Sequence, residues 1–343
     1  MDADTGRILS SKGAHDRRLI ASTTKIMTAL VAIERLDLDT LLAIPKEAVG
    51  IEGSSMYLKD GEELTVRELL FGLMLHSGND AAVALAIAAC GDVPSFVEAM
   101  NKKAADLGLH NTHYENPNGL DGKEHYSTAY DLALLTAAAM KNPCFSQIVG
   151  EKQIQLGSRS FRNHNKLLWM GQGITGVKTG FTKAAGRTLV SSCSRKGRSL
   201  IAVTLCDGND WQDHLAMYDF GFSQYEDRTL LQRGQLVAHV PLMDGRIGCL
   251  YADQSLRYSL SQGEMPSIQL RYPSAPFGCE DRVLADVYIG DLLIDRISLK
   301  WENTDEGTIT ENHSLPRSVF TANCRGMDSG RPCQPQRTAG SDR

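Results

Sequence analysis

At 343 residues, 42% of them hydrophobic and with a formal net charge of −5, the chain is long enough for two cored domains and lacks the basic excess that nucleic-acid binding requires. Its eight cysteines, at 90, 144, 193, 206, 249, 279, 324 and 333, form no C-x-x-C and no regular spacing, which argues against a zinc ribbon and a disulfide framework and leaves most of them as small buried hydrophobes. The longest strongly apolar run, Ala81 to Cys90, is far short of the roughly 20 residues that span a bilayer and reads as a buried helix.

Residues Met1 to Ile20 read as a β-hairpin, with Asp4-Thr5-Gly6 as turn and Arg7-Ile8-Leu9 as returning strand. The first arm, about three residues, is too short to hold a sheet edge. Met1-Asp2-Ala3 also brings neither a charged n-region nor a hydrophobic h-region, so a fuller strand and an export signal are expected upstream. From Ser22 to about Leu36, Ile26, Leu30 and Ile33 recur at helical spacing with Met27 and Val31 alongside, predicting a helix buried on more than one face. Thr65 and Glu68 form a capping box for a second helix, whose inner face is Val66, Leu69, Leu70, Leu73 and Met74. That helix stops at His76-Ser77-Gly78-Asn79, and a third, apolar all round, runs through Ala81 to Ile87.

An amphipathic helix over Val93 to Leu107 precedes a long ordered loop, Gly108 to Ser127, rich in Asn, His, Gly and Pro. His110, His113 and His125 lie in it without H-E-x-x-H spacing, so no metal site is expected. A helix over about Thr128 to Met140 ends at Asn142-Pro143. Strands Arg187 to Ser194 and Ser199 to Cys206 form an antiparallel hairpin around Lys196-Gly197, and Trp211, Leu215, Tyr218 and Phe222 mark a closing helix. The predicted class is α+β, a helical cluster packed on an antiparallel sheet over residues 1–226, with both chain ends of that domain feeding one layer. Short β-like runs such as Gln235 to Val240, Ser267 to Tyr272 and Val283 to Tyr288 predict a small all-β, sandwich-like domain over 227–301. The Gly-, Pro- and Ser-rich tail, 302–343, has too few large apolar residues to offset ordering entropy and reads as disordered.

Three polar motifs sit at element boundaries in this apolar framework. Ala21-Ser22-Thr23-Thr24-Lys25 sets a hydroxyl and an amine nearly one helical turn apart, facing the same way, where backbone N–H groups lack intrahelical partners. Alone, Ser22 is an ordinary helix cap, Ser77-Gly78-Asn79 an ordinary inter-helix turn, and Lys178-Thr179-Gly180 an ordinary strand end. Their coincidence in one order and context points to a cleft.

With these motifs the chain resembles the penicillin-recognising serine enzymes and, among them, the low-molecular-mass D-alanyl-D-alanine carboxypeptidases. The resemblance covers about residues 1 to 300, including Asp2-Ala3-Asp4-Thr5-Gly6, Asn116-Pro117-Asn118-Gly119-Leu120-Asp121 and the β-rich second domain. It implies removal of the terminal D-alanine from peptidoglycan stem peptides, covalent inhibition by β-lactams, no cofactor, and a wall-facing, extracytoplasmic location. In acyl transfer to water Ser22 is then the nucleophile and Lys25 its base, kept neutral by burial and by the charge of Lys178. Ser77 relays a proton to the departing amine, and Asn79 holds the substrate amide and orients Lys25. Lys178 and Thr179 receive the terminal carboxylate. Gly180 admits the substrate backbone, and the resemblance makes the N–H groups of Ser22 and Phe181 the oxyanion hole.

Phe181 stands where some relatives carry histidine, which bears on substrate preference. The tail after Glu302 lacks the amphipathic face with which relatives anchor to membranes, leaving membrane association open. Two rival readings remain. A class A-like β-lactamase needs a Glu-x-x-x-Asn segment, absent between Ser77 and Lys178. A β-lactam sensor or wall-binding protein would be acylated with little turnover.

Overall fold

The computed structural model describes residues 1–242, 247–272 and 282–302. The chain divides into two compact units, Met1–Tyr225 and a second from Glu226 onward. In the first, a 3₁₀ turn over Ala21–Thr24 runs directly into α1 (Lys25–Arg35). The paired strands β1 (Leu41–Ala43) and β2 (Glu63–Thr65) precede α2 (Val66–Leu75), α3 (Asn79–Cys90) and α4 (Val93–Asp106). After the long loop come α5 (Ala129–Met140), α6 (Pro143–Gly150), the hairpin β3 (Gln153–Leu156) and β4 (Arg159–Arg162), and a 3₁₀ turn over Lys166–Met170. An antiparallel sheet in the order β5 (Ile174–Thr182), β6 (Gly186–Arg195), β7 (Arg198–Leu205) and a final helix α7 (Asp210–Gln224) complete the unit. The architecture is the expected α+β one.

The helical core is built around α1 and α3. Ile26, Met27, Leu30 and Val31 of α1 meet Ala82, Val83, Leu85 and Ala86 of α3, and both pack against Leu69, Leu70 and Leu73 of α2. Val177 of β5 and Val190 of β6 close the same cluster, so one sheet face is fixed against the helices. On the other face Cys193, Leu200 and Ala202 pack with Leu9 and Tyr218. Because β6 is buried on both faces, it reads as a continuous run of buried residues from Thr188 to Cys193 rather than an alternation.

Three elements differ from expectation. The opening hairpin forms its turn, with Asp2 N–H donating to Arg7 O at 2.8 Å and Gly6 N–H to Asp2 O at 3.0 Å, but Arg7-Ile8-Leu9 is not a strand. Met1 to Ala3 lies along β7 instead, through Ala3 N–H to Ser199 O at 2.9 Å and Ile201 N–H to Met1 O at 2.8 Å. The Asp2 carboxylate curls the chain by accepting from Thr5 N–H and the Thr5 hydroxyl, both at 3.0 Å, and Leu9 drops into the apolar cluster. Helix α7 is rotated: Asp210, His214, Tyr218 and Gly221 are its buried positions, since His214 bonds Ser191 and Thr204 of the sheet and Trp211 instead lies beside the Arg187 guanidinium. Asn142-Pro143, read as a terminator, also starts α6; the Asn142 side chain accepts from Cys144 and Phe145 N–H, and proline suits the first helical position. The β3–β4 hairpin and the turn after it had no reading in sequence.

The second unit contains a five-stranded antiparallel sheet in the order β12 (Pro266–Arg271), β13 (Val283–Ile289), β14 (Leu292–Glu302), β10 (Ile247–Ala252), β9 (Leu236–Pro241), and a pair β11 (Leu256–Ser261) with β8 (Tyr225–Leu231). Alternation sets its core: Val283, Ala285 and Val287 face Leu299 and Ile297, and Leu231 and Leu256 of the pair join the same cluster. The tail assigned as disordered lies outside the described residues from 303 on. Among the described residues no single helix is long and apolar enough to cross a membrane, and no group of three or more His, Cys, Asp or Glu could hold a metal ion.

The capping box of α2 is present in full. Thr65 Oγ1 accepts from Glu68 N–H at 3.2 Å, and the Glu68 carboxylate accepts from Thr65 N–H at 2.8 Å. Thr65→Ala is expected to cost ~1 kcal/mol of unfolding free energy, read as a lower urea midpoint at unchanged m value; an unmoved midpoint would contradict this.

Candidate active site

Ser22 sits in the 3₁₀ turn one step before α1, not in the first turn of the α-helix itself. The turn is tightened by its own side chains: Thr23 Oγ1 donates to Ile20 O at 2.6 Å and Thr24 Oγ1 to Ala21 O at 2.8 Å. Lys25, the first residue of α1, is fully buried, with Nζ 2.9 Å from Ser22 Oγ, 2.6 Å from Asn79 Oδ1 and 2.6 Å from the Asn118 carbonyl oxygen. Two of these partners can only accept. A neutral amine satisfies both with its two hydrogens and presents its lone pair to the Ser22 hydroxyl.

Asn79 opens α3, where its side chain is held from behind by Nδ2 donating to Glu52 O at 2.5 Å, and its N–H donates to Ser54 O at 2.7 Å. Ser77, between α2 and α3, adopts a left-handed φ of 64° and is buried. Its hydroxyl makes no hydrogen bond among the described residues, so Ser77 lies on the motif turn but is not bonded to Lys25. On β5, Lys178 is buried and Nζ donates to Thr179 O at 2.9 Å. Gly180 is the point where the sheet and the Ser22 turn meet: a Cβ there would lie 2.9 Å from Ser22 N and 2.4 Å from Thr188 Oγ1. Phe181, the next residue on β5, is 65% exposed.

All eight residues singled out in sequence thus lie on the Ser22 turn, the start of α1, the α2–α3 turn and β5. Asn118 was missed as a ligand of Lys25, because a backbone carbonyl leaves no trace in residue type. The Asn116 to Asp121 segment was noted only for its resemblance; within it Gly119 has a φ of +87°, and an added Cβ would fall 2.0 Å from Ala21 O. Thr182, donating to Asp121 Oδ1 at 2.9 Å, ties the end of β5 to the same loop.

The electrostatics follow from burial. Desolvation, and then the charge of Lys178, hold the Lys25 amine well below the ordinary lysine range, with Asp80 opposing. Burial alone brings Lys178 down to about 7. His164 is lowered to about 4 by burial, Lys178 and its ring neighbour His76. The arrangement places a weakly basic amine against a serine hydroxyl, with a second cation able to recover its charge when an anion arrives.

The chain matches the D-alanyl-D-alanine carboxypeptidase family model over residues 1–209. It is 37% identical over 259 residues to the D-alanyl-D-alanine carboxypeptidase DacF of Bacillus subtilis, covering 72% of this chain and 67% of that protein. It is 34% identical over 307 residues to DacD of Escherichia coli, covering 82% and 79%. Among solved structures, penicillin binding protein 5 of Haemophilus influenzae superposes with a TM-score of 0.77 at 28% identity, over 88% of this chain and 95% of that one.

Folded Lys178 has shed its proton at about 7, whereas an unperturbed lysine keeps it to 10.5. Across that window the unfolded chain binds the extra proton, so stability rises with pH. Lys178→Met is expected to raise the urea midpoint at neutral pH and to flatten its rise toward pH ~9; a parent protein gaining no more than the variant over that range would contradict the buried-cation assignment.

Proposed function

Because the chain belongs to the D-alanyl-D-alanine carboxypeptidase family, we propose that Ser22, Lys25 and Ser77 carry its chemistry and that Asn79, Lys178, Thr179, Gly180 and Phe181 bind its substrate. The protein is a serine-type D-Ala-D-Ala carboxypeptidase and a low-molecular-mass penicillin-binding protein. Its substrate is the peptidoglycan stem peptide ending in D-Ala-D-Ala, and β-lactams acylate the same serine. The reaction places the enzyme on the wall-facing side of the membrane.

Ser22 Oγ attacks the carbonyl of the penultimate D-alanine while its proton passes to Lys25 Nζ. The observation that carries this role is the 2.9 Å approach of an amine held well below the ordinary lysine range. Negative charge developing on the carbonyl oxygen falls to the N–H groups of Ser22 and Phe181. The proton then moves through Ser77 Oγ to the nitrogen of the leaving D-alanine, the C–N bond breaks, and a Ser22 ester remains. Ser77 and Lys25 are not yet bonded in the free enzyme, and such bonds commonly tighten only in the substrate complex. Water repeats the sequence with Lys25 as base, releasing the shortened peptide.

The terminal carboxylate of the substrate goes to Lys178 and Thr179. An anion beside Lys178 favours its charged form, so the bound carboxylate and the Lys178 ammonium form a buried ion pair. The requirement for a free carboxylate makes the enzyme an exopeptidase. Neither the sensor reading nor the class A-like lactamase reading is favoured by the relatives.

Incubation with diacetyl-Lys-D-Ala-D-Ala is expected to release D-alanine; stable penicillin labelling without release would favour a sensor. Ser22→Ala is expected to abolish both labelling and release. Lys25→Ala should cost about 10²–10⁴ in acylation rate while the protein stays folded, and a smaller loss would remove Lys25 from the role of base.

A further inference from the structure

A second hydrogen-bond chain reaches the Ser22 turn from the 108–127 loop and takes no part in the steps above. His125 and Thr24 are both buried. The Glu115 backbone N–H, which can only donate, lies 3.1 Å from His125 Nδ1, so Nδ1 carries no hydrogen. The ring proton is therefore on Nε2, which donates to Thr24 Oγ1 at 2.8 Å. The Thr24 hydroxyl spends its own hydrogen on Ala21 O at 2.8 Å. Each group in the chain has one direction open to it, and the chain ends on the peptide just before the nucleophile.

The end point matters because Ala21 C=O and Ser22 N–H belong to one planar peptide unit, in which fixing the oxygen fixes the direction of the N–H. That unit needs holding: Ala21 has a φ of 46°, in the left-handed region that a non-glycine residue enters only under strain. Gly119 packs against its oxygen side and Gly180 against its nitrogen side. Burial, with His113, lowers the His125 pKa to about 4, so the ring keeps its single-proton form at neutral pH.

We propose that His125 is a positioning residue, which aims the Ser22 N–H at the developing oxyanion through Thr24 and the Ala21 carbonyl. This rests on the reading of Ser22 as nucleophile and of its N–H as an oxyanion donor. Since Lys178 and Thr179 hold the substrate carboxylate independently, loss of His125 slows bond formation and leaves the preceding non-covalent complex intact.

The test is the kinetics of penicillin acylation, counted per labelled Ser22, with the non-covalent dissociation constant separated from the acylation rate constant. In His125→Phe and in Thr24→Val the rate constant is expected to fall about 10–100-fold, part of the 10²–10³ carried by one oxyanion donor, with the dissociation constant moving less than about 2-fold. The double variant should be no slower than the slower single one, because both cut one chain. His125→Gln, which keeps an N–H at the end of its side chain, should recover most of the loss. Rate constants within about 2-fold of the parent in the single variants, additive losses, a loss confined to the dissociation constant, or a Gln variant as slow as Phe would each overturn the proposal. If His125→Phe does not fold, Thr24→Val, close to threonine in shape, decides by itself. A parent enzyme that is not acylated at Ser22 would defeat the underlying mechanism instead.

Discussion

A lysine buried at the start of a core helix is the constraint on which the catalytic unit depends. An unpaired ammonium in an apolar interior costs several kcal/mol, so Lys25 must either be surrounded by acceptors or give up its proton. The fold does both in part. Asn79 and the Asn118 carbonyl offer two acceptors, while burial and Lys178 weaken the hold on the third hydrogen. What remains is an amine whose free valence points at Ser22, and the same desolvation that taxes stability lowers its proton affinity, as the proposed role of base requires. Active sites commonly carry such a local cost in exchange for a shifted proton affinity.

The neighbourhood of Ser22 shows how little freedom the backbone has there. A 3₁₀ turn with a left-handed alanine is pressed between two glycines from distant segments, Gly119 and Gly180. Either glycine, given a side chain, would push directly on the peptide that presents the Ser22 N–H. Helix α1, the long loop and β5 therefore meet at one peptide bond, and its orientation is a property of three segments together. The buried network of Ser191, His214, Tyr218 and Thr204 serves a related end on the far side of the sheet. It fixes α7 on β6 and β7, and β6 in turn holds β5 in register, with Lys178 opposite Val190.

The elements legible in the sequence were those whose cause is local. The Thr65 capping box, the all-apolar α3, the break after α2 and the β-like run of β13 depend on neighbours within a few residues, and each is found, with Asn79, read as part of the break, opening α3 instead. The buried face of α7 was misplaced because Trp211 and Leu215 are apolar, whereas a histidine and a glycine are what the sheet accepts. Periodicity ranks faces by hydrophobicity and cannot see a hydrogen bond from Ser191 across the interface. The opening arm was read as half of a hairpin because its turn is local, but its partner is β7, some 200 residues away.

By itself the sequence singled out the side chains proposed here to bear the chemistry, since two hydroxyls, two amines and an amide at motif spacing announce themselves by residue type. It also placed the Ser22 and Ser77 motifs at element boundaries, where they lie, whereas Lys178, read as part of a strand end, sits in the middle of β5 because that strand runs on to Thr182. Only the tertiary structure decided how they are held. The Asn118 carbonyl on Lys25 and the link from His125 through Thr24 to Ala21 are contacts made by backbone atoms or by residues far apart in the chain. The proton affinity of Lys25 is likewise a property of what surrounds it once folded, because desolvation has no value until the core has closed around the amine.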